Sequence, residues 1–203
     1  KYILGYIKPG MTEKQIAKEI DEYYQERTDG ISFDTIVASG ENSSKPHAVP
    51  TNRKIKENDI ITIDMGCKVN GYCSDMTRTI FVGQPTEKMK KVYDIVLSNQ
   101  KFVLDQYKEG LSTRQITKMV ENDFKLSNYD LIHSLGHGIG LEIHEPPYIG
   151  YKNDTFLKEN MVVTNEPGIY LPGKFGVRIE DTVQITKFGC ISLTNSAKNY
   201  III

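Results

Sequence analysis

"KPGMTEKQIAKEIDEYY" (Lys8–Tyr24) and "KEGLSTRQITKMVENDF" (Lys108–Phe124) align without a gap at an offset of 100 residues. Lys, Gly, Gln, Ile and Lys are identical at five positions, and Met11/Leu111, Thr12/Ser112, Ile20/Val120 and Tyr24/Phe124 are conservative pairs. Each segment predicts a turn followed by an amphipathic helix. Thr12 and Ser112 are the N-caps, and Gln15 and Gln115, three residues on, are capping-box partners. An internal match of this kind sets the architecture before any single element is assigned.

The match continues downstream. "IITIDMG" (60–66) resembles "VVTNEPG" (162–168) at an offset of 102, and "SDMTRTI" (74–80) resembles "IEDTVQI" (179–185) at 105. "HAVP" from His47 resembles "HEPP" from His144 at 97. Four matches in one order describe two units, approximately 8–85 and 108–203, too few for a solenoid. A helix opened by Thr86 joins them, with Met89, Val92, Tyr93, Val96, Val103, Leu104 and Tyr107 at helical spacing and Gly110 closing it. The expected fold is α+β: duplicated half-domains related by a pseudo-two-fold axis around an antiparallel sheet, in one domain over 1–203.

Composition narrows the function. Lys and Arg total 25 against 26 Asp and Glu, so no basic excess points to nucleic acid. No apolar run approaches the ~20 residues that span a bilayer, and no signal-peptide pattern opens the chain. Cys67, Cys73 and Cys190 are odd in number and form no CxxC pair, which reads as reduced thiols in a cytoplasmic protein.

The chemistry lies in the acids and histidines. In "NDIITIDMGCKVNGYCSDMTRTIFVG", Asn70-Gly71 is a two-residue hairpin turn. Pairing about it sets Asp64 opposite Thr77 and Asp75 opposite Gly66, so Asp64 and Asp75 share a face as diagonal neighbours. Two such carboxylates repel unless a cation sits between them. Glu166 ends one strand of the second half and Glu180 lies in the next. An odd-length loop between those strands would put both on one face; an even one would not. If the two-fold axis brings both acid pairs together, four carboxylates match two divalent cations, as in dinuclear hydrolase sites. Three of the four histidines, His133, His137 and His144, fall in "HSLGHGIGLEIHEPP" (133–147), and the fourth is His47. One imidazole added to four carboxylates makes an oxygen-rich site that suits Mn, Co or Fe as well as Zn.

"KPHAVPTNR", "TIDMGCKVNGYCSDMTRTI", "HSLGHGIGLEIHEPP" and "VVTNEPGIYLPGKFGVRIEDTVQIT" together resemble the pita-bread metallopeptidases, over essentially all 203 residues. The resemblance implies the pita-bread (creatinase/aminopeptidase) fold and two divalent metal ions, with Mn foremost. It implies Asp64, Asp75, His137, Glu166 and Glu180 as metal ligands. Glu166 would double as proton shuttle, and His47 and His144 would flank the substrate, His144 steadying the tetrahedral intermediate. His133 before His137, Arg178 before Glu180 and His47 in "KPHAVP" resemble the Xaa-Pro branch, the aminopeptidase P and prolidase type. That implies a metallo-aminopeptidase acting on peptides with proline second, His47, His133, His144 and Arg178 contacting substrate, and a homodimer as an assembly to test. A methionine aminopeptidase-like activity and a non-catalytic peptide-binding module are the other readings. The separate N-terminal domain usual in that branch is expected to be absent.

Overall fold

The computed structural model describes residues 1–152 and 154–203. Its elements run α1 (Tyr2–Tyr6), α2 (Glu13–Gln25), β1 (Ile36–Ser39), a 3-10 turn (Gly40–Ser44), β2 (Ile60–Met65), β3 (Lys68–Val69), β4 (Tyr72–Cys73) and β5 (Met76–Phe81). Then follow α3 (Glu87–Gln106), α4 (Thr113–Leu126), β6 (Gly136–Gly138), β7 (Glu145–Ile149), β8 (Val162–Asn165), β9 (Gly168–Leu171), β10 (Phe175–Arg178), β11 (Asp181–Ile185) and β12 (Cys190–Ser192). One sheet has the order β1-β2-β5 and a second the order β12-β11-β8-β6-β7, with β9-β10 and β3-β4 as separate ribbons. The ladders between these strands are antiparallel.

The duplicated helices start as their caps direct. Thr12 Oγ1 accepts from Gln15 N, and Gln15 Oε1 accepts from Thr12 N, closing a full capping box. In α4 the serine half forms: Ser112 Oγ accepts from Gln115 N and gives its own proton to Asp154, 2.6 Å away. Gly110 does not close α3, which ends at Gln106 with Tyr107 extended as C-cap. It lies at φ +83 in the turn entering α4, as Gly10 at φ +92 does before α2.

Backbone hydrogen bonds give the true period of the repeat. Gly10 N–Ile55 O and Gly110 N–Leu157 O are both 2.8 Å. Val82 N–Asp59 O and Ile185 N–Met161 O are also both 2.8 Å. Helices therefore repeat at 100 and the later strands at 103, which corrects the offset of 105 read for 74–80 against 179–185. That alignment set acid on acid. The ladder instead puts Arg178 in the place of Asp75, and Glu180 in the place of Thr77.

Burial follows the same period. One core contains Ile3, Ile7, Ile16, Ile20, Ile55, Ile61, Ile80 and Val82. The other contains their counterparts Val103, Tyr107, Ile116, Val120, Leu157, Val163, Val183 and Ile185. Each half thus buries one face of its helix on its own sheet. Between the halves, buried Arg78 forms a 2.7 Å ion pair with buried Asp181 and donates to the Glu180 carbonyl. Among the described residues, no helix is long and apolar enough to cross a membrane.

Ile16→Ala and Ile116→Ala should each cost about 2–5 kcal/mol of unfolding free energy, because each empties an equivalent buried site. Since polar bonds join the halves, urea unfolding of either variant, followed by circular dichroism, should remain one transition with an unchanged slope.

Candidate metal centre

Two hairpin registers place the acids. In the first, Asp64 pairs with Thr77 and Val69 with Tyr72, so the predicted pairing about Asn70-Gly71 holds. Asn70 (φ 52) and Gly71 (φ 81) supply the left-handed turn. In the second, Leu171 pairs with Phe175 across the three residues 172–174. The loop is therefore odd. The same register runs through Arg178–Gly168 and Asp181–Asn165, which sets Glu166 directly opposite Glu180. Both glutamates accordingly share a face, and the alternative left open by the sequence is decided.

His137 enters from the adjacent strand β6, and its glycine neighbours allow the approach. A Cβ on Gly136 would stand 2.2 Å from Thr164 O, and one on Gly138 would stand 2.5 Å from Pro146 O. Only glycine lets β6 sit between β7 and β8. His137 Nδ1 lies 3.0 Å from the Gly138 carbonyl, which assigns the proton to Nδ1. Nε2 then turns its lone pair toward Asp75 Oδ2 and Glu166 Oε1, each 3.5 Å away. All nine residues expected at the site, His47, Asp64, Asp75, His133, His137, His144, Glu166, Arg178 and Glu180, line one cleft of about 560 Å³.

The electrostatics of this cluster call for a cation. Burial, then the Asp64 and Glu166 carboxylates, push Asp75 well above the usual carboxylate range. Burial, then Asp75, Glu166 and Asp64, do the same to Glu180. Burial also raises Glu166, against the pull of His137 and Arg178. Asp64 Oδ1 and Asp75 Oδ1 are buried with no hydrogen-bond partner among the described residues. Ligand atoms of Asp75, His137 and Glu180 lie within 4.8 Å of one another. Carboxylates that carry orphaned oxygens beside an imidazole lone pair fit a hard-to-borderline divalent cation. Asp64 and Glu166 border this trio. Thr77 Oγ1 donates to Glu180 Oε2 at 2.7 Å, and Thr164 Oγ1 donates to Glu166 Oε1 at 3.3 Å.

Arg178 was expected among the substrate contacts; four of its five N–H groups are used within the protein. It is 3 % exposed. Nη2 pairs with Asp64 at 2.6 Å, Nε donates to Thr77, and Nη1 donates to Pro46 O and to the Tyr170 hydroxyl. Its place is as the fixed cation of the acid cluster. Tyr170 in turn lies 3.0 Å from His133 Nε2, while His133 Nδ1 faces Ser134 O at 2.7 Å. Burial and the Arg178 charge hold His133 down to about 4, so its imidazole is neutral. Sequence reasoning missed Tyr170. The available signal was its place across from Gly176 and two residues after Gly168, bare positions that a ring can cover. His144 is exposed at its edge, with its ring 4.4 Å from that of His137; partial burial, first among the causes, lowers its pKa. His47, also exposed, reaches the cleft from the loop after the 3-10 turn.

A model of metallopeptidase family M24 matches residues 1–187. The chain is 44% identical over 197 residues to the Xaa-Pro dipeptidase of Pyrococcus furiosus, covering 95% of this chain and 56% of that one. Among solved structures, the X-Pro aminopeptidase of Thermotoga maritima superposes with a TM-score of 0.96 at 40% identity, covering 100% of this chain and 58% of that one. The Xaa-Pro dipeptidase from Bacillus anthracis gives a TM-score of 0.96 at 42% identity, with coverages of 100% and 58%. The chain thus spans less than three fifths of the length of these relatives. The fold it shares with these structures is the pita-bread fold.

The raised carboxyls set a pH dependence. Asp75 and Glu180 hold protons more tightly folded than unfolded, so their contribution to stability is full at low pH and is lost as pH rises above about 4 toward their raised values. Metal-stripped protein should therefore melt at a lower temperature at pH 7 than at pH 5, and Asp75→Asn should raise the pH 7 value. Added divalent ions should restore the native protein and leave Asp75→Asn nearly unmoved, as read by thermal melts with and without chelator.

Proposed function

This chain belongs to metallopeptidase family M24, and from that membership we propose that it is a dinuclear-metal aminopeptidase that cleaves the bond between an N-terminal residue and a following proline. The observation that carries the reading is the convergence of Asp75, His137 and Glu180, with Asp64 and Glu166 beside them, in a cleft that also holds His47, His133 and His144. The relatives named Xaa-Pro dipeptidase and X-Pro aminopeptidase support the choice of substrate.

Asp64, Asp75, His137, Glu166 and Glu180 would hold two divalent ions, with Mn first and Co, Zn or Fe as alternatives. Such ions supply Lewis acidity toward water and toward a peptide carbonyl. The chain's own groups do the rest. Glu166, raised by burial and next to His137, takes the proton of the attacking water and returns it to the proline nitrogen as the C–N bond breaks. His144, whose lowered pKa keeps it neutral, donates an N–H to the developing oxyanion. His47 flanks the peptide from its own loop. Neutral His133, held by Tyr170, lines the proline side without adding charge. Arg178 holds Asp64 in place. The acid cluster attracts the substrate's free amine and so favours cleavage at the N-terminus. Cys67, Cys73 and Cys190 are free thiols, which supports a reducing, cytoplasmic setting. A homodimer is the assembly we expect.

Metal-stripped protein given Mn, Co, Zn or Fe singly should hydrolyse short Xaa-Pro peptides and leave Met-Ala peptides intact. Preference for Met-Ala would turn the reading to a methionine aminopeptidase; no metal-stimulated hydrolysis of either would turn it to a binding module. His144→Ala should lower kcat about 10²–10³-fold, as loss of one oxyanion donor does, with KM changed far less in steady-state assays.

A further inference from the structure

Glu13 is fully buried, yet it lies outside the cleft and no part of the proposed chemistry uses it. It is the first residue of α2, where the helix dipole favours a carboxylate. Oε1 accepts from Ser39 N at 2.6 Å and from Ser39 Oγ at 2.7 Å. Oε2 accepts from Asn42 Nδ2 and Thr51 N, both at 2.9 Å, and from Thr51 Oγ1 at 2.7 Å. One side chain therefore ties down the start, an early turn and the end of the segment 39–51, which carries His47. The counterpart of Glu13 in the repeat is Thr113, whose Oγ1 accepts from Thr155 N. The two halves thus carry different side chains, a carboxylate and a hydroxyl, at this matched position.

We propose that Glu13 is the positioning residue for His47: its carboxylate fixes the loop 39–51 so that the imidazole stands at the cleft wall. On the cleft side the same loop is met by Arg178, which donates to Pro46 O at 3.0 Å. Gly176 N also donates to Ser43 Oγ at 2.9 Å. These contacts join the loop to the second half, while Glu13 joins it to the first. Arg53 backs the arrangement by donating to Ser39 Oγ and pairing with Asp59 at 2.6 Å. A loop of this length without its anchor would sample many conformations, and each would carry His47 away from the peptide. The inference deepens the peptidase reading and rests on His47 being a peptide contact.

Glu13→Gln tests it. A carboxamide has one acceptor oxygen, so whichever way it turns, either Ser39 N–H or Thr51 N–H faces an NH₂ group. Hydrogen exchange of the intact protein should quicken about tenfold or more in peptides covering 40–50, with α3 and α4 unchanged. KM for an Xaa-Pro dipeptide should rise about fivefold with kcat nearly constant, the pattern of lost substrate binding. That rise should vanish when Glu13→Gln is made on a His47→Ala background. Thr51→Val removes the hydroxyl that donates to Glu13 and accepts from Arg53 N, and keeps the Thr51 N bond to Glu13, so it should show the same pattern more weakly; it decides the matter if Glu13→Gln does not fold. Unchanged exchange across 40–50, or a KM rise of equal size with and without His47, would overturn the proposal. If His47→Ala alone leaves KM unchanged, the peptide-contact reading fails and the positioning role fails with it. That failure is told apart by an exchange response to Glu13→Gln that persists.

Discussion

Four carboxylates, three of them buried and Glu166 half-buried, facing one another around an imidazole lone pair are the constraint on which this molecule depends. Asp64, Asp75, Glu166 and Glu180 come from two hairpins, and among the described residues the cation built permanently among them is Arg178. A guanidinium cannot balance four acids. The remaining charge is relieved by raised proton affinity or by metal ions, and the orphaned oxygens of Asp64 and Asp75 show where such ions would be taken up. A pocket of this kind is costly to assemble. The surrounding structure makes it rigid with neutral partners: Thr77 donates to Glu180, Thr164 donates to Glu166, and the Gly138 carbonyl accepts from His137 Nδ1.

Duplication explains how a chain of modest size can build it. Each half buries a helix on a sheet, and the two hairpins meet across the pseudo-two-fold axis. The copies are not chemically equivalent. In the ladder frame, Asp75 corresponds to Arg178 and Thr77 to Glu180. One half thus offers its acids on a diagonal, while the other offers two glutamates directly opposite and a cation two residues away. The contrast between Glu13 and Thr113 is of the same kind. Shared backbone hydrogen bonds preserve the frame, and polar side chains at matched positions carry the differences.

Much of this was legible in the residues. The 3.6-residue spacing and the caps marked α2, α3 and α4. Asn70-Gly71 fixed the first hairpin register, because a two-residue turn with two positive φ values allows one pairing. The second register stayed open, because Pro172, Gly173 and Lys174 mark a loop without declaring its length. The offset of 105 failed for a related reason: acid resembled acid by letter, whereas strand pairing is set by hydrogen bonds. Tyr170 gave no motif at all, since its role comes from lying over glycines and touching Arg178 and His133.

The sequence by itself determined the duplicated α+β plan, membership in the pita-bread class by resemblance, and the nine side chains that the fold gathers in one cleft. These are matters of period, turn chemistry and residue type, and they are local. Only the tertiary structure decided that Glu166 stands opposite Glu180, that Arg178 pairs with Asp64 where it lines the cleft, and that Glu13 ties down the loop carrying His47. Each depends on where atoms far apart in the chain come to rest, and no local spacing encodes that distance.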